Sequence, residues 1–352
     1  MNTFIHHIHS LPALVKQLAP VFADEAARVF TPALCDGVET VYMTGCGDSF
    51  YAAQCAEFAI ESLTGLNCEA QPAMQFSRYA PPHTRKAIAI GVSVSGGVSR
   101  TIEAMARARK AGHITVALTS SANTPLAQVC DHVLITSVPD LPDAKGVLVP
   151  GSRSFYASLL MLLSSAVVFS KPHESARPVR FGDLDISSLI QEAIITNEVP
   201  MRMAAEQTLD ARAFVFAGSG PNLGSANFAA AKMIESCGDV ALAADLEEWA
   251  HVQYWMKQAD TPTFLLSANG RDKTRADEVE TAMRAIGRRV IRPALPACDE
   301  ALSPFAACIP PMLFAAHRAE LLGEPYFRAF GGGRSPEGGG GISRIRTSEI
   351  VD

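Results

Sequence analysis

The 352-residue sequence contains no Cys-x-x-Cys pair: its eight cysteines (positions 35, 46, 55, 68, 130, 237, 298 and 308) are scattered, and no His/Cys cluster stands at zinc-ligand spacing. No metal is expected, and reduced thiols are the simple reading. There is no basic stripe either. Thirty Lys and Arg are interspersed with 36 Asp and Glu, for a formal net charge of −6. Nothing there offsets a phosphate backbone, so nucleic acid is not an expected partner. Long apolar runs are also missing. The longest, residues 157–169, is broken by serines and falls short of the roughly 20 residues of a spanning helix. The first ten residues hold His6, His7 and His9 but no cationic flank leading into an apolar core, so no signal peptide is expected. A cytoplasmic protein without membrane contact is the expectation, and the histidine cluster reads as an N-terminal arm more than a metal site.

With 48% hydrophobic and 19% charged residues, the composition is that of a folded protein. The length exceeds one ordinary core and predicts two domains. Apolar spacing over residues 11–30 predicts a helix stopped by Pro32. Residues 38–44 then read as a strand entering Gly45-Cys46-Gly47-Asp48-Ser49 and a helix. A second apolar strand, residues 86–92, empties into Ser93-Val94-Ser95-Gly96-Gly97-Val98-Ser99 and a further helix. Such turns gather free backbone N–H groups and a helix dipole into an anion cradle, and hydroxyls add donors. Strands alternating with helices predict an α/β fold of doubly wound parallel sheets, with ligands at the carboxyl ends of the strands. Gly45-x-Gly47 lacks the third glycine of a dinucleotide fingerprint and an acidic ribose partner. No cofactor is predicted.

The second half repeats the pattern. Phe214-Val215-Phe216 feeds Gly218-Ser219-Gly220 and a helix ending in Lys232-Met233-Ile234-Glu235, with Glu248-Trp249-Ala250-His251 following. Gly218 lies 173 residues after Gly45, about half the chain, which suggests a domain-length repeat. The expected division is a helical cap (1–34), a first domain (35–170), a linker and helix (171–210), a second domain (211–325) and a glycine-rich tail (326–352) near the site.

Together, the two glycine turns, the Ser-x-Ser-Gly turn, and the Lys-x-x-Glu helix followed by Glu-x-x-His resemble the sugar isomerase (SIS) family. The resemblance is to the isomerase half of glucosamine-6-phosphate synthase and to stand-alone amino-sugar deaminase/isomerases and fructosamine-6-phosphate deglycases. It implies two tandem doubly wound, flavodoxin-like SIS domains. It also implies a phosphate cradle at Ser93, Ser95 and Gly96, with Ser99 or Thr101 supplying the hydroxyl that Gly97 and Val98 cannot. The turn after the first strand falls on Cys46, Gly47, Asp48 and Ser49. Lys232, Glu235 and, 16 residues on, His251 fall on the family's proton-transfer groups, the histidine often coming from a neighbouring subunit. A homodimer with a composite site is the implied assembly. The family's C-terminal lysine appears as Arg344, a poor nucleophile that would bind phosphate or hydroxyls instead. Nothing resembles the synthase's glutaminase domain, so ammonia from glutamine is not an expected reactant.

Moving a carbonyl between C1 and C2 of a sugar needs a base, donors for the enediol oxygen and a phosphate anchor. Glu235 is the candidate base, His251 the ring-opening acid/base and Lys232 the positioning cation; Arg153, Glu248 and Arg344 are further substrate-binding candidates. A Lys-x-x-Glu pair can equally be plain helix support, and His251 a packed histidine beside Trp249 and Trp255. The alternative function is a non-catalytic phosphosugar-binding regulator.

Overall fold

The computed structural model describes residues 2–80, 86–141, 149–169, 185–268, 270–324 and 349–350. The chain opens with α1 (Thr3–His9), α2 (Leu11–Val29), α3 (Pro32–Cys35), β1 (Thr40–Gly45), α4 (Asp48–Thr64), β2 (Asn67–Pro72), α5 (Ala73–Arg78) and β3 (Ala87–Val92). It continues with α6 (Ser99–Lys110), β4 (Ile114–Thr119), α7 (Pro125–Val129), β5 (His132–Ile135), α8 (Arg153–Phe169), α9 (Ile186–Gln207), β6 (Ala213–Ala217) and α10 (Pro221–Cys237). The last elements are β7 (Val240–Ala244), α11 (Leu246–His251), β8 (Thr263–Leu265), α12 (Lys273–Ala285), β9 (Val290–Ile291), α13 (Ser303–Ala307) and α14 (Ile309–Leu321).

Two units result. Among the described residues, one gathers 14–80, 86–140, 153–169, 185 and 349–350; the other gathers 2–13, 141, 149–152, 186–268 and 270–324. The first holds a five-stranded sheet in the order β2-β1-β3-β4-β5, and every pairing is parallel. β1 and β3 are buried along their whole length, as central parallel strands covered on both faces must be. Tyr42, Ala89 and Ala117 pack with Phe76, Met105 and Leu126 on one face. Val41, Ile88 and Ile90 meet Phe30, Ile60 and Phe169 on the other. Gly91 is required where α6 crosses β3, because a Cβ there would stand 2.4 Å from Met105 Cγ.

The other unit holds a four-stranded parallel sheet in the order β7-β6-β8-β9. Its alternation separates two cores. Val215, Ala217 and Leu265 pack against Trp249 of α11 and Val279 and Met283 of α12. Phe214 and Phe264 instead meet Phe314 of α14, with ring centroids 5.5 and 4.8 Å away. Arg318, fully buried, donates to the carbonyls of Thr208 and Ala211 and to Asp239, so it ties the starts of β6 and β7 together. The histidine-rich start is no loose arm: α1 packs in this unit, Asn2 donates to the Ala316 carbonyl, and Glu198 accepts from or pairs with both His9 (2.8 Å) and His317 (3.1 Å). Among the described residues there is no cluster able to hold a metal, and no helix long and apolar enough to cross a membrane.

Candidate functional site

In a parallel sheet the chain leaves neighbouring strands in opposite directions at one place, and the loops there flank a crevice at the strands' carboxyl ends. In the five-stranded sheet that place lies between β1 and β3. The turns predicted as cradles, residues 45–48 and 93–98, are those two loops. α4 follows Gly47 and α6 follows Val98, and neither cap residue makes a side-chain capping bond. First-turn N–H groups of both helices therefore have no intrahelical acceptor, the arrangement that attracts an anion.

The serine turn is held firmly. Ser93 N–H donates to the Leu118 carbonyl, Ser120 N–H to that of Val94, and Leu126 N–H to that of Gly96. Gly96 has φ +60°, and a Cβ on it would lie 2.3 Å from Thr124 Cβ, so only glycine fits. Ser93 and Ser99 are buried at 3% and 6% exposure, while Ser95 and Gly97 are exposed. Thr101 is fully buried and its hydroxyl donates to the Cys46 thiol at 3.9 Å, which joins the two loops. Ser49 is half-buried in the first turn of α4, and Cys46 and Gly47 are exposed. Arg153 starts α8, nearly buried, with its guanidinium on the Pro139 carbonyl at 2.8 Å; burial lowers its pKa, partly countered by Asp140.

The corresponding crevice in the four-stranded sheet lies between β6 and β8, and its hydroxyls are committed internally. Ser219 donates to Asp245 at 2.6 Å and accepts from Leu246 N–H, and Ser267 donates to Asp272 at 3.0 Å. Asp245 was not singled out in the sequence reading. It is the cap of α11, also accepting from Glu247 N–H. A carboxylate in that position opposes an incoming phosphate.

Lys232 and Glu235 sit on α10. The lysine is fully buried, its ammonium 2.6 Å from Glu235 Oε2 and 4.9 Å from the centroid of Phe228; the glutamate side chain is 30% exposed. This is no plain surface pair. His251 ends α11, exposed, 3.2 Å from Glu247, whose carboxyl Arg275 in particular, and His251 next, hold below the usual range. Glu248 is exposed on the same helix. α10 and α14 cover one face of the sheet, α11 and α12 the other. Glu235 and His251 of one chain thus lie on opposite faces, although only 16 residues apart in sequence. Arg344 falls outside the described residues.

Residues 37–168 match the SIS domain family. The chain is 24% identical over 307 residues to glutamine–fructose-6-phosphate aminotransferase [isomerizing] of Gloeobacter violaceus, covering 81% of this chain and 50% of that protein. It thus spans about half the length of the curated relatives it matches. The C-terminal domain of glucosamine-fructose-6-phosphate aminotransferase from Francisella tularensis has a similar fold, with TM-score 0.77 at 17% identity over 91% of this chain and 96% of that one. Glucosamine-6-phosphate deaminase from Thermotoga maritima is similar with TM-score 0.68 at 18% identity, over 90% and 96% of the two chains. The match to the SIS domain family covers one segment, residues 37–168, of the 352-residue chain.

Proposed function

We propose that this chain is a phosphosugar enzyme of the isomerase type that acts on an amino-sugar or fructosamine 6-phosphate by isomerisation, deamination or deglycation. The observation that carries the reading is the pair of uncapped glycine turns, 45–48 and 93–98, flanking the β1/β3 crevice inside the SIS segment. Ser93, Ser95, Ser99 and the N–H groups of the 93–99 turn anchor the phosphate, and Cys46, Gly47 and Ser49 line the approach, with Thr101 holding the Cys46 thiol. Arg153, Glu248 and Arg344 bind substrate. Phosphate binding energy then orients the reacting carbons.

Glu235 takes the proton from one of C1 and C2 and returns it to the other through an enediol or enaminol, so no electrons enter or leave and no cofactor is used. Lys232 sets the carboxylate's position and charge, and His251 shuttles the ring-opening proton. Glu235 and His251 lie on opposite faces of one sheet, so this reading takes the histidine from the second chain of a homodimer. It also assumes two tandem doubly wound domains with the boundaries given above, in a cytoplasmic protein. Turnover of a panel of hexosamine and fructosamine 6-phosphates, followed by mass spectrometry, tests it. Tight binding without product by any member would move the assignment to a phosphosugar-binding regulator. The same separation of Glu235 and His251 favours that second reading if the protein is a monomer.

A further inference from the structure

His251 ends a helix that is too short to hold itself. α11 has six residues, and its end is closed by one bond from Val252 N–H to the Glu248 carbonyl at 2.9 Å. A helix of that length is marginal without tertiary contacts. The imidazole is tied from outside by Glu247 at 3.2 Å, and Glu247 in turn by Arg275 of α12 at 2.7 Å. The side chains of His251, Glu247 and Arg275 are 66%, 52% and 44% exposed. Ion pairs so open to water contribute little, so the end of α11 is fixed from beneath.

The group beneath it is Arg288, which is 4% exposed. Its guanidinium carbon lies over Trp249, two residues before His251, at 5.4 Å from the ring centroid. Its Nη2 donates to the carbonyl of Gln253, two residues after His251, at 2.9 Å, and its Nη1 to that of Gln258 at 3.2 Å. Gln253 opens the 3-10 turn Gln253–Trp255, in which Trp255 N–H returns to the Val252 carbonyl and Met256 N–H to that of Gln253. One planar fork thus grips the chain on both sides of His251 and at the far end of the loop that follows. A lysine has no such fork.

Arg288 is itself held in place. Gly287 turns the chain at φ +82° after α12, and Arg288 N–H donates to the Met283 carbonyl at 2.9 Å. Met283 packs in the same core as Trp249. No carboxylate among the described residues pairs with the guanidinium: Asp260, whose charge acts on it, pairs with Arg289 at 3.7 Å. Burial lowers the pKa of Arg288, and Asp260 counters part of that effect. Keeping a cation out of water without an ion pair is unfavourable, and an apolar side chain would cover Trp249 without that penalty. What an apolar side chain would lack is the grip on the two carbonyls.

We propose that Arg288 is a positioning residue for His251. It sets the course of the chain through residues 249–253, and so the point from which the imidazole moves the ring-opening proton. The inference rests on the role given to His251 above. Arg288 carries no proton in the reaction, and its loss acts through His251, not through Glu235 or the serine turn.

The test uses the full chain and the variants Arg288→Met, Arg288→Lys, His251→Gln and Arg288→Met/His251→Gln. Hydrogen exchange followed by mass spectrometry should run about tenfold or more faster over residues 249–258 in Arg288→Met than in wild type, with β6 and α10 unchanged. Arg288→Lys, which keeps the charge and loses the fork, should fall between. On a hexosamine or fructosamine 6-phosphate that wild type turns over, Arg288→Met should lower kcat about tenfold or more and leave KM within about twofold. The double variant should be no slower than His251→Gln alone, because residues that act as a unit are not additive. An arginine with only a structural role would slow the His251→Gln protein further. Unchanged exchange over residues 249–258, or losses that multiply in the double variant, overturn the proposal. If Arg288→Met fails to fold, Arg288→Lys replaces it in both measurements. Absence of turnover by wild type on every such substrate overturns the role of His251 and the catalytic use of Arg288 with it, whereas the exchange measurement judges the grip on the loop by itself.

Discussion

Lys232 and Glu235 are joined at 2.6 Å, the lysine with no exposed side-chain surface and the glutamate with 30% of its side chain open. An ammonium buried so completely needs a carboxylate to offset its lost hydration. The carboxylate, fixed from the inside, keeps an open side. That combination suits a base that must be charged and accessible at once.

Lys232→Met keeps the stem over Phe228 and removes the charge. Loss of one partner of a part-buried pair should lower stability by about 1–3 kcal/mol, a fall in melting temperature readable by calorimetry. Turnover should fall further than stability explains, because Glu235 loses its fixed position.

Gly96→Ala and its neighbour Gly97→Ala should behave oppositely. Gly96 combines φ +60° with a Cβ position 2.3 Å from Thr124, whereas nothing lies within 4 Å of a Cβ on Gly97. The first should cost about 1–3 kcal/mol. The second should stay within about 0.5 kcal/mol of wild type. Thermal melts of the two variants check this, and Gly96→Ala should also lose the stabilisation given by a hexose 6-phosphate.

The N-terminal helix should be fastened in a pH-dependent way. Its clamp, Glu198, is held below the usual glutamate range, first by its hydrogen bond to His317 and then by His9, against the opposing effect of burial. A depressed folded pKa means the contribution is complete above the unfolded value of about 4.3 and is lost as pH falls through the folded one. The melting-temperature gap between wild type and Glu198→Gln should therefore be present at neutral pH and shrink below about pH 5. A gap that widens on acidification contradicts the assignment.

Phosphosugar binding should stabilise the chain through the serine turn. A ligand at 100 times its dissociation constant adds about 2.7 kcal/mol. Thermal shift with a hexose 6-phosphate should show this in wild type and lose most of it in Ser93→Ala/Ser95→Ala.

The central strands and both glycine turns were legible because fully buried parallel strands are written as apolar runs: β3 is an unbroken one, and β1 holds Val41-Tyr42-Met43 between two threonines. The edge strands were not. β2 (Asn67–Pro72) is polar and ends in proline, and β7 (Val240–Ala244) is short and alanine-rich, so neither carries the apolar signal of a two-sided strand. Residues Ser93 to Ser99 stand where the sequence places them, at a strand exit. The Asp245 contact that occupies Ser219 was not foreseeable, since it joins residues 26 apart through the return of a strand. Glu235 and His251 are 16 residues apart, and that spacing hides the strand β7 between them, which carries the chain from one face of the sheet to the other.

The most direct test of the whole account is the turnover of amino-sugar and fructosamine 6-phosphates by wild type and Glu235→Gln, with exchange of the C1 and C2 hydrogens followed by NMR in heavy water. The account predicts product and solvent exchange with wild type on at least one substrate, and a loss of about 10²-fold or more in Glu235→Gln with phosphosugar binding intact. Exchange retained in Glu235→Gln, or none with wild type on any of these substrates, would contradict it.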